Sequence, residues 1–122
     1  MPTVLRDIAQ QCALEAGYDN YNPDACLINC YAVGSKMSLH QDKDERDFTA
    51  PIVSISLGVP ATFLFGGLQR SDKTIKVPVS HGDVVVWGGK SRLFFHGVSP
   101  IKPAYHPFWG EQRINITFRV AG

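Results

Sequence analysis

From residue 18 onward the chain is cut into short runs rich in Val, Ile, Phe and Thr, separated by Gly, Pro, Asn and Asp. Apolar and polar residues alternate with period two inside these runs, so each can bury one face as a β-strand but cannot present a helical stripe. The pattern predicts strands at 26–33, 36–40, 51–58, 61–66, 74–79, 83–87, 92–96 and 113–120, with separators such as Val33-Gly34-Ser35, Gly58-Val59-Pro60 and His81-Gly82-Asp83. Eight short strands at this spacing favour a jelly roll or small barrel over an α/β sheet. The opening segment differs, because Val4, Leu5, Ile8, Cys12 and Ala16 recur at helical spacing between Pro2 and Gly17, predicting an amphipathic helix over 3–16. The expected fold class is mainly β, with one N-terminal α-helix.

At 122 residues the chain fits a single domain over 1–122. Twelve basic residues against eleven acidic ones give a formal net charge of +1, which excludes a strongly basic nucleic-acid wrapper. Any nucleic-acid contact must come from a local patch. Apolar runs such as Val84-Val85-Val86-Trp87 fall far short of the roughly 20 residues that cross a bilayer. Arg6 and Asp7 stand where a secretory signal needs its apolar segment, and three cysteines, an odd count, fit a reducing compartment. A cytoplasmic protein with no membrane contact is expected, and no obligate protein partner is evident. Cys26 and Cys30 are expected as core thiols.

His40-Gln41-Asp42 places an imidazole and a carboxylate two residues apart, on one face of extended backbone, with Gln41 pointing away. The pair supplies two vertices of a facial triad for iron(II), and the third must be a distant histidine. His96, closing the aromatic run Arg92-Leu93-Phe94-Phe95, is the best candidate, although alone it reads better as a hydrogen-bonded core histidine. His81 and His106 fall in a turn and a proline-flanked loop and are expected at the surface. In the last strand Arg113, Asn115, Thr117 and Arg119 share one face, and Asn29 and Tyr31 share a face of the first. Such a set suits a buried dicarboxylate. It is compatible with a polar barrel interior or with an exposed sheet face. No phosphate loop, dinucleotide fingerprint or nucleophile elbow is present.

The segments 29–45, 51–58, 81–89, 95–97 and 113–119, taken together and in order, closely resemble the bacterial AlkB dioxygenases. The resemblance runs from about Asp24 to the end, and the opening helix matches plausibly. It implies a double-stranded β-helix, that is a jelly roll, using Fe(II), 2-oxoglutarate and dioxygen to remove alkyl groups from nucleobases of the 1-methyladenine and 3-methylcytosine type. Formaldehyde, succinate and carbon dioxide would be released, and the partner would be alkylated single- or double-stranded DNA or RNA. By position, the resemblance makes His40, Asp42 and His96 the metal ligands and catalytic centre. Arg113 and Arg119 would hold the two carboxylates of 2-oxoglutarate, with Asn29, Tyr31 and Asn115 as its hydrogen-bonding partners. Asp44 would lie near the exocyclic amino group of the target base, and Arg70 in a loop that approaches the nucleic-acid backbone.

Family members carry a further N-terminal nucleotide-recognition lid, and the chain is expected to be the catalytic core without it. Cys30 and Val33 stand where close bacterial relatives usually carry arginine and proline. Two other functions fit the same residues: an oxygenase of this class acting on a small molecule or protein, and a non-catalytic jelly-roll binding module whose His and Arg residues only stabilise a polar interior.

Overall fold

The computed structural model describes residues 2–41 and 49–120. An opening helix, α1 (Thr3–Glu15), is followed by β1 (Ala25–Tyr31), β2 (Met37–His40), β3 (Ile52–Gly58), β4 (Ala61–Phe65), β5 (Ile75–Val79), β6 (Val84–Trp87), β7 (His96–Val98) and β8 (Arg113–Arg119). The strands form two antiparallel four-stranded sheets, ordered β1-β8-β3-β6 and β2-β7-β4-β5. Apart from the β4–β5 hairpin, successive strands thus alternate between sheets, which is the double-stranded β-helix expected from the sequence.

Two apolar layers result. Between the sheets, Ile52, Phe63, Val79, Trp87 and Val98 pack with Tyr31 and Ile101. Outside the first sheet, Ala9 and Ala13 of α1 close over Val53 and Phe118, with Tyr21 completing the cluster. Period two explains the division: Ile52, Ser54 and Ser56 of β3 face the partner sheet, while Val53 and Ile55 face the helix. The helix ends where Gly17 takes φ 97°, allowing Gly17 N–H to reach the Leu14 carbonyl at 3.0 Å and Tyr18 N–H the Ala13 carbonyl at 2.9 Å. This is the left-handed closure that glycine adopts without steric cost.

Three expectations need correction. The helix buries Leu5, Ala9, Cys12 and Ala13, whereas Val4 and Ile8 are exposed and Ala16 lies on the surface. Small residues are needed where a helix lies close on a sheet, so alanines, not the larger aliphatics, mark the packed face. The predicted strand at 92–96 is mostly not a strand. Gly89, at φ 57°, opens a short 3-10 turn (Gly89–Ser91), Arg92 is helical and buried, and its Nε donates to the Ala50 carbonyl at 3.0 Å. His96 therefore begins β7 and does not end a strand. Cys30 is exposed, not a core thiol, because α1 packs on β3 and β6 and leaves the far end of β1 uncovered. Cys12 and Cys26 are half-buried, and all three cysteines are free thiols.

Candidate metal and dicarboxylate site

The β2–β7 ladder brings His40 directly opposite His96, with ring centroids 4.4 Å apart. Each ring turns Nδ1 toward the carbonyl two residues earlier in the chain: His40 to Ser38 at 3.0 Å and His96 to Phe94 at 3.2 Å. A carbonyl only accepts, so each Nδ1 carries the proton and each Nε2 carries the lone pair. That is the tautomer a metal ligand needs. His96 is 4% exposed, stacked on Phe63 at 5.9 Å and flanked by Trp87 at 4.9 Å, which fixes its plane. Asp42, the expected third ligand, lies outside the described residues, as does Asp44. Among the described residues no cluster of three potential ligands occurs.

Facing the histidines, β1 and β8 build a polar wall. Their register sets Tyr31 against Arg113, Asn29 against Asn115 and Ala25 against Arg119, and β3 adds Ser54 and Ser56 on the other side. His40, His96, Asn29, Tyr31, Arg113, Asn115 and Arg119 all line one cavity. The open question of exposed face or enclosed interior resolves in favour of the interior.

Arg113 is 2% exposed. Nη2 donates to Ser56 Oγ at 2.9 Å, and the guanidinium sits 5.2 Å over the Tyr31 ring. Nε and Nη1 are buried with no hydrogen-bond partner among the described residues. Burial pulls the pKa of this arginine below its ordinary value, with Tyr31 opposing the shift. Burial likewise pushes the Tyr31 phenol up, and Arg113 partly offsets it. A buried cation with two unmatched donors is costly unless an anion meets it. Charged N–H donors of this kind suit a carboxylate. The donor set therefore fits the 2-oxoglutarate that the family resemblance implies, and two Nε2-presenting imidazoles fit iron(II) beside it.

Asn115 is tied differently. Its Nδ2 donates to Ser54 Oγ at 2.6 Å and to the Ile55 carbonyl at 3.3 Å, while Oδ1 accepts from Thr117 Oγ1 at 2.7 Å. It stiffens the wall as much as it lines it. Ser54 and Ser56 were not singled out from the sequence, yet they carry the contacts that orient Asn115 and Arg113. Their signal was two serines at period two in an otherwise apolar strand. Gln41 was also passed over, and its Nε2 donates to the Leu93 carbonyl at 2.7 Å. Arg70 is exposed at the surface, but Nη1 reaches the Leu39 carbonyl at 2.5 Å and the guanidinium covers the Phe95 ring at 4.9 Å.

His81 and His106 lie apart from this cavity, as expected. They contact each other at 4.4 Å, and each Nδ1 accepts from backbone N–H groups, His81 from Gly58 and His106 from Phe108 and Trp109. Both protons therefore sit on Nε2, the opposite tautomer to that of His40 and His96.

The fold and the paired histidines beside a buried arginine define a jelly-roll oxygenase scaffold. A solved structure of OsALKBH1 superposes with a TM-score of 0.85 at 38% identity, over 98% of this chain and 65% of that one. The model of the 2OG-Fe(II) oxygenase superfamily matches residues 1–119. The chain belongs to that superfamily and, within it, to the AlkB family of 2-oxoglutarate oxygenases. It is 59% identical over 121 residues to the alpha-ketoglutarate-dependent dioxygenase AlkB of Salmonella typhimurium, covering 99% of this chain and 56% of that protein. It is 39% identical over 108 residues to the DNA N(6)-methyladenine demethylase ALKBH1C of Arabidopsis thaliana, covering 80% of this chain and 24% of that one. The chain thus spans about half the length, or less, of these relatives.

Proposed function

We propose that this chain carries Fe(II)- and 2-oxoglutarate-dependent oxidative dealkylation of N-alkylated nucleobases, of the 1-methyladenine and 3-methylcytosine type, in DNA or RNA. The observation that carries the reading is Arg113, whose two unmatched, buried guanidinium donors face the same cavity as the His40–His96 pair. A polar interior that served stability alone would pair those donors within the chain, which weighs against the binding-module reading. The names of the relatives, an AlkB dioxygenase and a DNA demethylase, support the substrate class.

His40 and His96 would present Nε2 to the metal, with Asp42 as the third ligand. Arg113 would pair with one carboxylate of the cosubstrate and Arg119 with the other, while Tyr31, Asn29 and Asn115 border it. Phe63 and Trp87 close the apolar side and keep water from the reacting centre. Bound iron and cosubstrate, with dioxygen, would supply the oxidation: 2-oxoglutarate becomes succinate and carbon dioxide, the N-alkyl carbon is hydroxylated, and that carbon leaves as formaldehyde. Asp44 would address the exocyclic amino group of a base held out of its stack. The exposed charge of Arg70 would approach a phosphate. Three free thiols fit the reducing cytoplasm as the working compartment, and no helix among the described residues is long and apolar enough to cross a membrane.

The test is succinate formation from 2-oxoglutarate with iron(II) and ascorbate under air, with and without a single-stranded oligonucleotide bearing 1-methyladenine. Stimulation by the methylated strand over its unmodified counterpart, abolished in Arg113→Ala, is the expected result. Succinate formed at one rate with either strand would overturn the nucleobase substrate, and its absence would overturn the oxygenase reading.

A further inference from the structure

The backbone ladder that joins the two histidine-bearing strands is short and interrupted. Strands β2 and β7 pair at Met37–Val98 and again at His40–His96, with a register shift between the two, and β7 is only three residues long. Among the described residues His40 and His96 are thus the last pair of their ladder. Beyond them, no backbone hydrogen bond among the described residues holds one strand to the other.

Two side chains continue the connection where the ladder stops. Gln41 follows His40, and its Nε2 crosses to the Leu93 carbonyl at 2.7 Å. Arg70 comes from the turn between β4 and β5, which is closed by the Asp72 N–H to the Gln69 carbonyl at 3.0 Å and the Gln69 N–H to Asp72 Oδ2, also at 3.0 Å. Its Nη1 reaches the Leu39 carbonyl, immediately before His40, and its guanidinium face covers Phe95, immediately before His96. The base of that turn is itself fastened to the same segment, since Gly66 N–H meets the Phe95 carbonyl and Phe95 N–H the Gly67 carbonyl, both at 2.8 Å. Residues 39 and 41 on one side, and 93 and 95 on the other, are therefore tied across the gap that the two imidazoles span.

We propose that Gln41 and Arg70 are positioning residues that hold His40 and His96 at metal-ligand separation. The proposal rests on the metal reading of those two histidines. The two side chains meet backbone carbonyls beside the histidines, Gln41 that of Leu93 and Arg70 that of Leu39. Each fixes the backbone beside a ligand, and small displacements of ligands are what outer contacts of a metal site prevent. Arg70 keeps its charge exposed while bound to Leu39, so bracing and a contact with a phosphate use different parts of one guanidinium.

The experiment is Co(II) binding to the full chain, read by calorimetry and by the visible ligand-field spectrum, for the unsubstituted protein, Gln41→Glu, Arg70→Met and Arg70→Lys. Thermal melting without metal serves as the folding control. Glutamate keeps the shape of Gln41 but removes its N–H donor, and methionine keeps part of the Arg70 stem without donor or charge. Co(II) affinity is expected to fall about tenfold in Gln41→Glu and Arg70→Met, the lower range for outer contacts of metal ligands, with an altered spectrum. Arg70→Lys, which retains a donor and a cation over Phe95, is expected to recover most of the affinity. Equal affinity and spectra in all four proteins would overturn the bracing, as would a loss confined to oligonucleotide binding. Failure of the unsubstituted protein to bind Co(II) would overturn the metal reading and the bracing with it.

Discussion

His40 and His96 stand directly opposite each other on β2 and β7, yet each donates its Nδ1 proton to a carbonyl two residues earlier in the chain and not to the other ring. Two imidazoles at 4.4 Å with both lone pairs on Nε2 have no hydrogen bond to offer one another through those atoms. The proposed function has the two rings share a cation. His96→Ala should lower succinate formation by more than about 100-fold, since loss of mere outer contacts to metal ligands already costs roughly 10- to 100-fold. Steady-state succinate assays, with the melting temperature as a control, check it.

Arg113→Met separates binding from folding. Methionine fills much of the arginine volume and removes a buried charge with two unmatched donors, each of which costs about 1–3 kcal/mol when left unsatisfied. Without cosubstrate the variant should melt at or above the temperature of the unsubstituted chain. Added 2-oxoglutarate with a divalent metal should raise the melting temperature of the unsubstituted chain and leave that of the variant unchanged. A variant that is simply destabilised would show that Arg113 is already satisfied in the folded chain.

Gly97 lies between His96 and Val98, and a Cβ there would approach the Met37 carbonyl oxygen to 2.6 Å and the Leu39 nitrogen to 3.2 Å. Those atoms belong to the backbone of β2 and cannot rotate away. Gly97→Ala should therefore cost about 1–3 kcal/mol, the range for overpacking, and weaken Co(II) binding by displacing the strand that carries His40. Denaturant titration and metal titration of the same sample test both effects.

Alkaline pH should unfold the chain through buried groups remote from the cavity as well as through Tyr31 within it. Burial raises the pKa of the Cys12 and Cys26 thiols above 9.0 and that of the Tyr21 phenol well above 10.0. The folded chain then holds protons that the unfolded chain has released. The stability from these groups is intact below about pH 9 and is lost progressively as pH rises through the folded values. The Tyr21 hydroxyl is buried without a hydrogen-bond partner among the described residues, so Tyr21→Phe should cost nothing at pH 7 and flatten the decline above pH 10. Denaturation midpoints from pH 7 to 11 for both proteins measure it; parallel curves would assign the decline to other groups.

The strand pattern was legible because period two is enforced by burial on alternate faces, and β8 shows it most clearly: Arg113 and Asn115 line the cavity while Phe118 packs beneath α1. Sequence could not tell an enclosed polar face from a wet one, since both alternate alike; that distinction came from the second sheet, whose His40, Phe63 and His96 cover the face of β8 that carries Arg113 and Asn115. The run at 92–96 misled because a buried aromatic cluster needs no strand. Arg92 spends its side chain on Ala50, and the chain turns before His96. Ser54 and Ser56 were overlooked for a related reason, as a hydroxyl's worth depends on the partner that the opposite strand brings. The period marks the helix, and Leu5 and Cys12 do pack on the sheet, but Val4 and Ile8 do not, because a close helix-to-sheet contact selects alanine over isoleucine.

The two halves of the cavity are anchored unequally. Strand β8, which carries Arg113, Asn115 and Arg119, is paired along its length with β1 on one side and β3 on the other. Such an interior strand exchanges its amide hydrogens only when much of the sheet opens. Strand β2, which carries His40, lies at the edge of its sheet and meets β7 at two pairs among the described residues, where fraying is inexpensive, whereas His96 is held by β4 as well. The arginine-bearing half should therefore behave as a fixed template and the strand of His40 as the part that adjusts, so that loss of order on heating would begin at His40 while the arginines still stand in register.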